Sequence, residues 1–328
     1  MKKFIAIVSI LGAIFLLLGL LLAGVAYFTG GVDAFSISSK DVKTLTEKSV
    51  SFSESIDKVD LDTQVGDVEF HEYDGDEIRV DYSETDKVTY TITCEDGALK
   101  VRQSVDKNAF FDFLSSGDRY WKMDIYLPKD SSDLESGTIH LNTGALQIPA
   151  EVFFKDLDVD LDTGSVKISG SGEDSKAGTY KIKDNTGSVK LDNLQVEKIT
   201  VTNNTGSMTL SNFDGEEIDL KDSTGSINLE NVHGGDLTLK NNTGSINLTT
   251  VEANTINAKG STGSIKFDQV KADSVTGETN TGSIRGSLIG DYNYQASSNT
   301  GSVHVPESAG TAKASFKSNT GSVKIEKI

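Results

Sequence analysis

Leu237-Thr238-Leu239-Lys240-Asn241-Asn242-Thr243-Gly244-Ser245-Ile246-Asn247-Leu248 is the stretch on which the reading of this chain turns. Leu237 and Leu239 before the centre, and Ile246 and Leu248 after it, alternate with polar residues in the period of a β-strand. Between the two runs lies Asn-Thr-Gly-Ser. Glycine reaches positive φ without a Cβ clash, and Asn and Ser fold back onto nearby amides, so the four residues predict a tight corner. Thr-Gly pairs in the same phase begin at Thr143, Thr163, Thr186, Thr205, Thr224, Thr243, Thr262, Thr281, Thr300 and Thr320, with spacings of 20, 23, six of 19, and 20. Asn, Asp or Ser precedes every one, and Ser follows every Gly except at Ala145. About five inward apolar positions recur per unit, as in Ile218, Leu220, Ile227, Leu229 and Val232.

Two architectures place short strands around such a corner. An antiparallel meander needs a turn but gives no reason for its letters to stay constant. In a β-solenoid, equivalent residues stack about 4.8 Å apart, and identical Thr, Ser and Asn side chains can bond from coil to coil. The uniform letters favour the solenoid. The chain therefore reads as all-β, a parallel β-helix-like solenoid of about ten 19-residue coils over residues 136–328. Residues 56–135 alternate less regularly and read as an irregular β portion capping it. Within them Asp62-Thr63-Gln64-Val65-Gly66-Asp67-Val68 looks like a degenerate copy of the unit.

Residues 31–55 are polar and Ser-rich, a stalk, while residues 4–28 are almost wholly apolar. As a helix the apolar run is roughly 37 Å long, enough to cross a hydrocarbon core of about 30 Å. Lys2 and Lys3 precede it, and Asp33 is the first charge beyond it. The positive-inside rule then predicts a single-pass protein of a bacterial cell membrane, with residues 1–30 as cytoplasmic end and anchor and the carboxyl-terminal portion extracytoplasmic. A cleaved signal peptide has a shorter apolar core, typically about 7–15 residues.

The chain of 328 residues carries 49 acidic and 31 basic side chains, a net −18, which argues against nucleic acid as a partner. Residues 31–140 alone hold 25 acids and 12 bases. The single cysteine, Cys94, excludes an internal disulfide framework. The Gly-Gly-x-Gly-x-Asp pattern of calcium-binding β-rolls is absent, and no cofactor or metal motif is present.

The apolar span, the Gly-Asp-Val within residues 59–70, the strand ending Tyr126-Leu127-Pro128 and the serial Thr-Gly-Ser-Val/Ile coils together resemble the bacterial putative-adhesin family of membrane-anchored β-strand-repeat proteins, over roughly residues 50–328. That family is a domain of unknown function. The resemblance implies an envelope protein, and some members are encoded beside envelope stress systems of the Lia type.

Candidate functional residues fall in two groups. Three residues before the corner Thr stand Lys183, Lys221, Lys240, Lys259 and Lys317; four after it stand Lys167, Lys190, Lys266, Arg285 and Lys324. Stacked in register, they would flank the corner as basic stripes suited to an anionic wall polymer, or serve as solvated charge that discourages edge pairing. Phe110, Phe111 and Phe113, with Trp121 nearby, form the densest aromatic cluster outside the apolar span, readable as a contact loop or as closure of the core. His71, His140, His233 and His304 occupy unrelated phases, so no two of them are placed on a shared coil face with a Ser or carboxylate partner, and the chain reads as a non-enzymatic binding, adhesion or scaffolding rod. The acidic front portion could attract cationic peptides, and a regulatory role, sensing envelope damage through a membrane stress-response protein, is the second functional class.

Overall fold

The computed structural model describes residues 46–106, 121–172 and 176–328. The predicted membrane span, most of the stalk, and Phe110, Phe111 and Phe113 lie outside these residues. Among the described residues, no helix is long and apolar enough to cross a membrane.

The regular portion is a β-solenoid with parallel neighbours throughout. β13 (Ile227–Thr243) pairs in parallel with β12 (Met208–Thr224) on one side and β14 (Ile246–Thr262) on the other, one 19-residue step apart. Equivalent letters therefore touch: Ile227 lies on Ile246, Leu239 on Ala258, Thr243 on Thr262. The core is the column of inward positions; in β13, Ile227, Leu229, Val232, Leu237 and Leu239 are all at most 1% exposed. Burying each stabilises the fold by about 1.5–3 kcal/mol before entropy is counted. The meander is excluded, because coils stacked in parallel cannot be consecutive hairpin arms.

The corner threonines form one column, Thr143 on Thr163 and so on to Thr281, but its far end is out of chain order. Thr281 pairs with Thr320, and Thr320 pairs with Thr300. The last strands, β19 (Ala312–Thr320) and β20 (Val323–Lys327), thus slot between β15 (Ile265–Thr281) with β16 (Ile284–Leu288) and the coil that precedes them in sequence. That displaced coil, β17 (Tyr292–Thr300) and the two-residue β18 (Val303–His304), forms the end of the stack. Because this end coil is partial, the solenoid makes about nine turns rather than the ten predicted.

The front portion is also permuted. β2 (Lys58–Val65) and β3 (Asp67–Tyr73) make a coil with Gly66 at its corner, and Val65 sits on Thr143 as the degenerate repeat predicted. Outside it lie β6 (Ala98–Val105) and β7 (Lys122–Pro128), although they come later in the chain. This end is then sealed by antiparallel strands: β5 (Val88–Glu95) on β6, β4 (Ile78–Glu84) on β7, and β1 (Thr46–Phe52) on β4. β1 falls within the stretch read as a stalk, so the described end of that stretch is part of the cap.

Candidate functional site

The corner is held from inside by a position the repeat reading passed over, two residues before each Thr. Asp184, Asn203, Asp222, Asn241, Thr279 and Ser318 point inward there and are each at most 4% exposed. Asn203 Nδ2 donates to the Gly187 carbonyl of the neighbouring coil at 3.1 Å, and Asn241 Nδ2 donates to that of Gly225 at 2.9 Å. Thr279 and Ser318 hydroxyls donate to Gly263 and Gly282 at 3.0 and 2.9 Å. Asp184 and Asp222 accept from the Thr186 and Thr224 amides, each at 3.2 Å, but their Oδ2 atoms have no partner among the described residues. Burial pushes both carboxyls up to about 6, with the Thr amides pulling the other way.

These contacts need glycine at the corner. A Cβ on Gly244 (φ +132) would sit 1.6 Å from the Gly225 carbonyl oxygen, so no other residue allows coils to approach this closely. On the outside, Asn204 donates to Asn185 at 2.8 Å and Asn319 to Asn280 at 3.0 Å. Ser226 N–H donates to Ser207 Oγ at 3.3 Å, so the coil-to-coil Asn and Ser contacts expected of stacked letters are present.

On the flank before the corner, Lys221, Lys240 and Lys259 stack directly on one another. Lys183 stands apart, separated from Lys221 by Thr202, and Glu278 lies between Lys259 and Lys317. Acids close on most of this stripe: Asp160 on Lys183 at 3.0 Å, Asp219 on Lys221 at 2.6 Å, Glu278 on Lys259 at 3.1 Å. On the other flank Lys167 and Lys190 form one pair, and Lys266, Arg285 and Lys324 a second group, with Thr209, Asn228 and Asn247 between the two. Asp268 and Glu326 pair with Lys266 and Lys324 at 2.9 and 2.7 Å. The structure therefore brings the basic residues into register but breaks each stripe and neutralises much of it.

Trp121 is only 6% exposed, which removes it from the predicted contact loop. Its carbonyl accepts from the Asp67 amide at 2.8 Å, and its backbone backs the Gly66 corner, so it closes the front of the core.

Two histidines, in different coils, each meet a carboxylate. His233 Nδ1 lies 3.2 Å from Asp214 on the adjacent coil. His71 Nε2 lies 2.7 Å from Asp124, on β3 and β7, with Glu69 close by. Lys122 Nζ bridges Asp124 at 2.9 Å and Glu69 at 2.8 Å, and these hydrogen bonds hold its ammonium well above the ordinary lysine range, Asp124 first. Gln147 adds a bond to Glu69 at 2.9 Å, and the His71 ring stacks on Tyr126. Three groups of metal-ligating type thus converge here, with Lys122 supplying the positive charge between the acids. Sequence spacing could not find the cluster, since its two strands are separated by the irregular, permuted front coils.

The chain matches the family described as Toastrack DUF4097 over residues 56–327. No curated protein matches it. Among solved structures it is similar to a crystal structure of a putative adhesin from Bacteroides fragilis, at 14% identity over 86% of this chain and 97% of that one, with a TM-score of 0.33. A structure titled a putative lipid binding protein, from Parabacteroides distasonis, matches at 14% identity over 86% and 97% with a TM-score of 0.37. A putative cell adhesion protein from Clostridium sporogenes matches at 12% identity over 87% and 100%, with a TM-score of 0.22.

Proposed function

The chain belongs to the Toastrack DUF4097 family, and from that premise we propose that it is a membrane-anchored, extracytoplasmic binding rod of the bacterial cell envelope that works without catalysis. The apolar run at residues 4–28 with Lys2 and Lys3 before it supports the anchor and its orientation. The observation that carries the binding role is the stacking of Lys221, Lys240 and Lys259 in consecutive coils. Side chains repeated at one strand spacing, about 4.8 Å, form a linear array that meets a polymer at several points at once, so weak contacts add. Lys240 is the centre of that array and, unlike its two neighbours, has no acid within ion-pair distance among the described residues.

The ligand this favours is an anionic wall polymer, held locally by the stripe against the overall negative field of the rod. Purified protein should sediment with isolated cell wall, and Lys221→Glu, Lys240→Glu and Lys259→Glu together should abolish that binding while leaving the fold intact. Unchanged sedimentation of the triple variant would retire this ligand and this surface.

A further inference from the structure

The two ends of the solenoid are finished differently, and the carboxyl-terminal one is open. Among the described residues, β17 pairs only with β19, and β18 only with β20. The following loop bends back over the start of β17: Tyr294 N–H donates to Ser308 Oγ at 2.9 Å, and Ala309 N–H donates to the Tyr292 carbonyl at 3.1 Å. From residue 295 to residue 304 nothing described covers the outer edge. The core is open here as well. Val303 is 38% exposed, whereas its equivalents Ile246 and Val323 are at most 1% exposed. An unpaired strand edge is a template for another strand unless charge blocks it, and residues 292–306 contain no Asp, Glu, Lys or Arg.

We propose that this open end is an interface between two copies of the chain, joined edge to edge about a two-fold axis at the Thr300-Gly301 corner. Charge selects a second copy. In a two-fold contact each surface faces itself, so a charged edge would oppose like with like, and a chain of net −18 can approach itself only where it carries no charge. The burial pattern selects the register. Inward positions around every corner lie two and four residues before Thr and three and five after it, here Ser298, Ala296, Val303 and Val305. An axis between Thr300 and Gly301 maps this set onto itself. It places Ser298 opposite Val303 of the second copy and Ala296 opposite Val305, covering both open cores, while the outward Ser297 faces His304. The two arms run antiparallel, and the Ser308 loop limits the pairing to residues 296–305. β1 lies at the other, sealed end.

The test is the mass of the full chain in detergent micelles by light scattering, across the micromolar range. A dimer is expected, and it should strengthen as salt is raised, because screening weakens repulsion between two acidic rods. Val303→Lys puts an ammonium into the covered core and should weaken association roughly a hundredfold. On a Cys94→Ser background, Ser297→Cys with His304→Cys should give a covalent dimer on mild oxidation, and Ser297→Cys alone should not. A wild-type monomer at all concentrations, including one that captures an extended peptide at this edge, overturns the proposal. So does a dimer that Val303→Lys leaves intact or that the cysteine pair fails to cross-link.

Discussion

The coil cornered at Thr243 and the coil cornered at Thr300 share the letters Asn-Thr-Gly-Ser yet live in different surroundings. The first has a coil above and below, with Asn241 and Ile246 sealed from water; the second has a neighbour on one side only, and Val303 faces solvent. The difference teaches that the motif specifies the shape of a coil, while burial comes from the coils on either side. Substitutions should therefore read out stack position rather than motif identity. Gly244→Ala should be the most damaging. It forces a Gly-only backbone at about 1–3 kcal/mol and drives a Cβ into the next coil's carbonyl at about 1–3 kcal/mol more. Ile246→Ala should cost about 3 kcal/mol, against less than about 1 kcal/mol for Val303→Ala on the monomer. Urea midpoints of the three variants check the order; equal losses for Ile246→Ala and Val303→Ala would break the comparison.

A second contrast lies within the inner polar column. Asn203 and Asn241 donate to a neighbouring glycine carbonyl, but Asp222 between them offers an oxygen in the same place. The Cβ position of Gly225 lies 2.7 Å from Asp222 Oδ2 and 1.5 Å from the Gly206 carbonyl; for Gly244 it lies 3.3 Å from Asn241 Nδ2 and 1.6 Å from the Gly225 carbonyl. Only the protonated acid can donate there. With its carboxyl raised from 3.8 to about 6 by burial, the folded chain holds this proton more tightly than the unfolded one. The stabilisation is full below about 4, is lost as pH rises through about 6, and stays lost above. Among the described residues no charged group pairs with the carboxyl: Asn203 and Asn241 are its neighbours in the column, and Lys221 points outward to Asp219. Asp222→Asn should therefore stabilise by about 1–2 kcal/mol at pH 7.5 and change little at pH 4. Thermal midpoints at both pH values decide it; a gain at pH 4 as large as at pH 7.5 would remove the proton from the explanation.

Much of the middle of the rod was legible because its period is constant. The inward apolar positions, the parallel register and the glycine corner all follow from letters that repeat every 19 residues. The ends were not legible. Nothing local in residues 312–327 says that they slip beneath the preceding coil, since all coils offer nearly the same edge; which edge is taken is settled by packing far away in sequence. The Glu69, His71, Asp124 and Lys122 cluster was hidden for the same reason, because it forms across two strands whose stacking order differs from their chain order. The basic residues share two phases of the repeat, but Thr202 and Glu278 interrupt one column, and the acids that close on it, such as Asp219 beside Lys221, depend on side-chain reach rather than phase.

A second corner lies seven residues after Thr186, Thr205, Thr224, Thr243 and Thr262. Asn193, Asn212, Asn231, Thr250 and Gln269 all have left-handed backbone, with φ between 49° and 57°. The Asn series at 193, 212 and 231 carries the signal, since Asn tolerates this region better than other side chains do. Asn231 also donates to Asn212 at 2.8 Å, so the ladder rewards the same letter. Thr250 breaks it: a β-branched residue at φ +53 is crowded against its own carbonyl and leaves Asn231 without an amide stacked on it. If the coil's shape is set by this corner as much as by the glycine one, Thr250→Asn should stabilise the rod by about 1 kcal/mol, and Asn231→Thr should cost a similar amount. Opposite shifts in thermal midpoint would establish the second corner as part of the repeat's code. No gain from Thr250→Asn would mean that neighbouring coils impose the left-handed turn whatever residue occupies it.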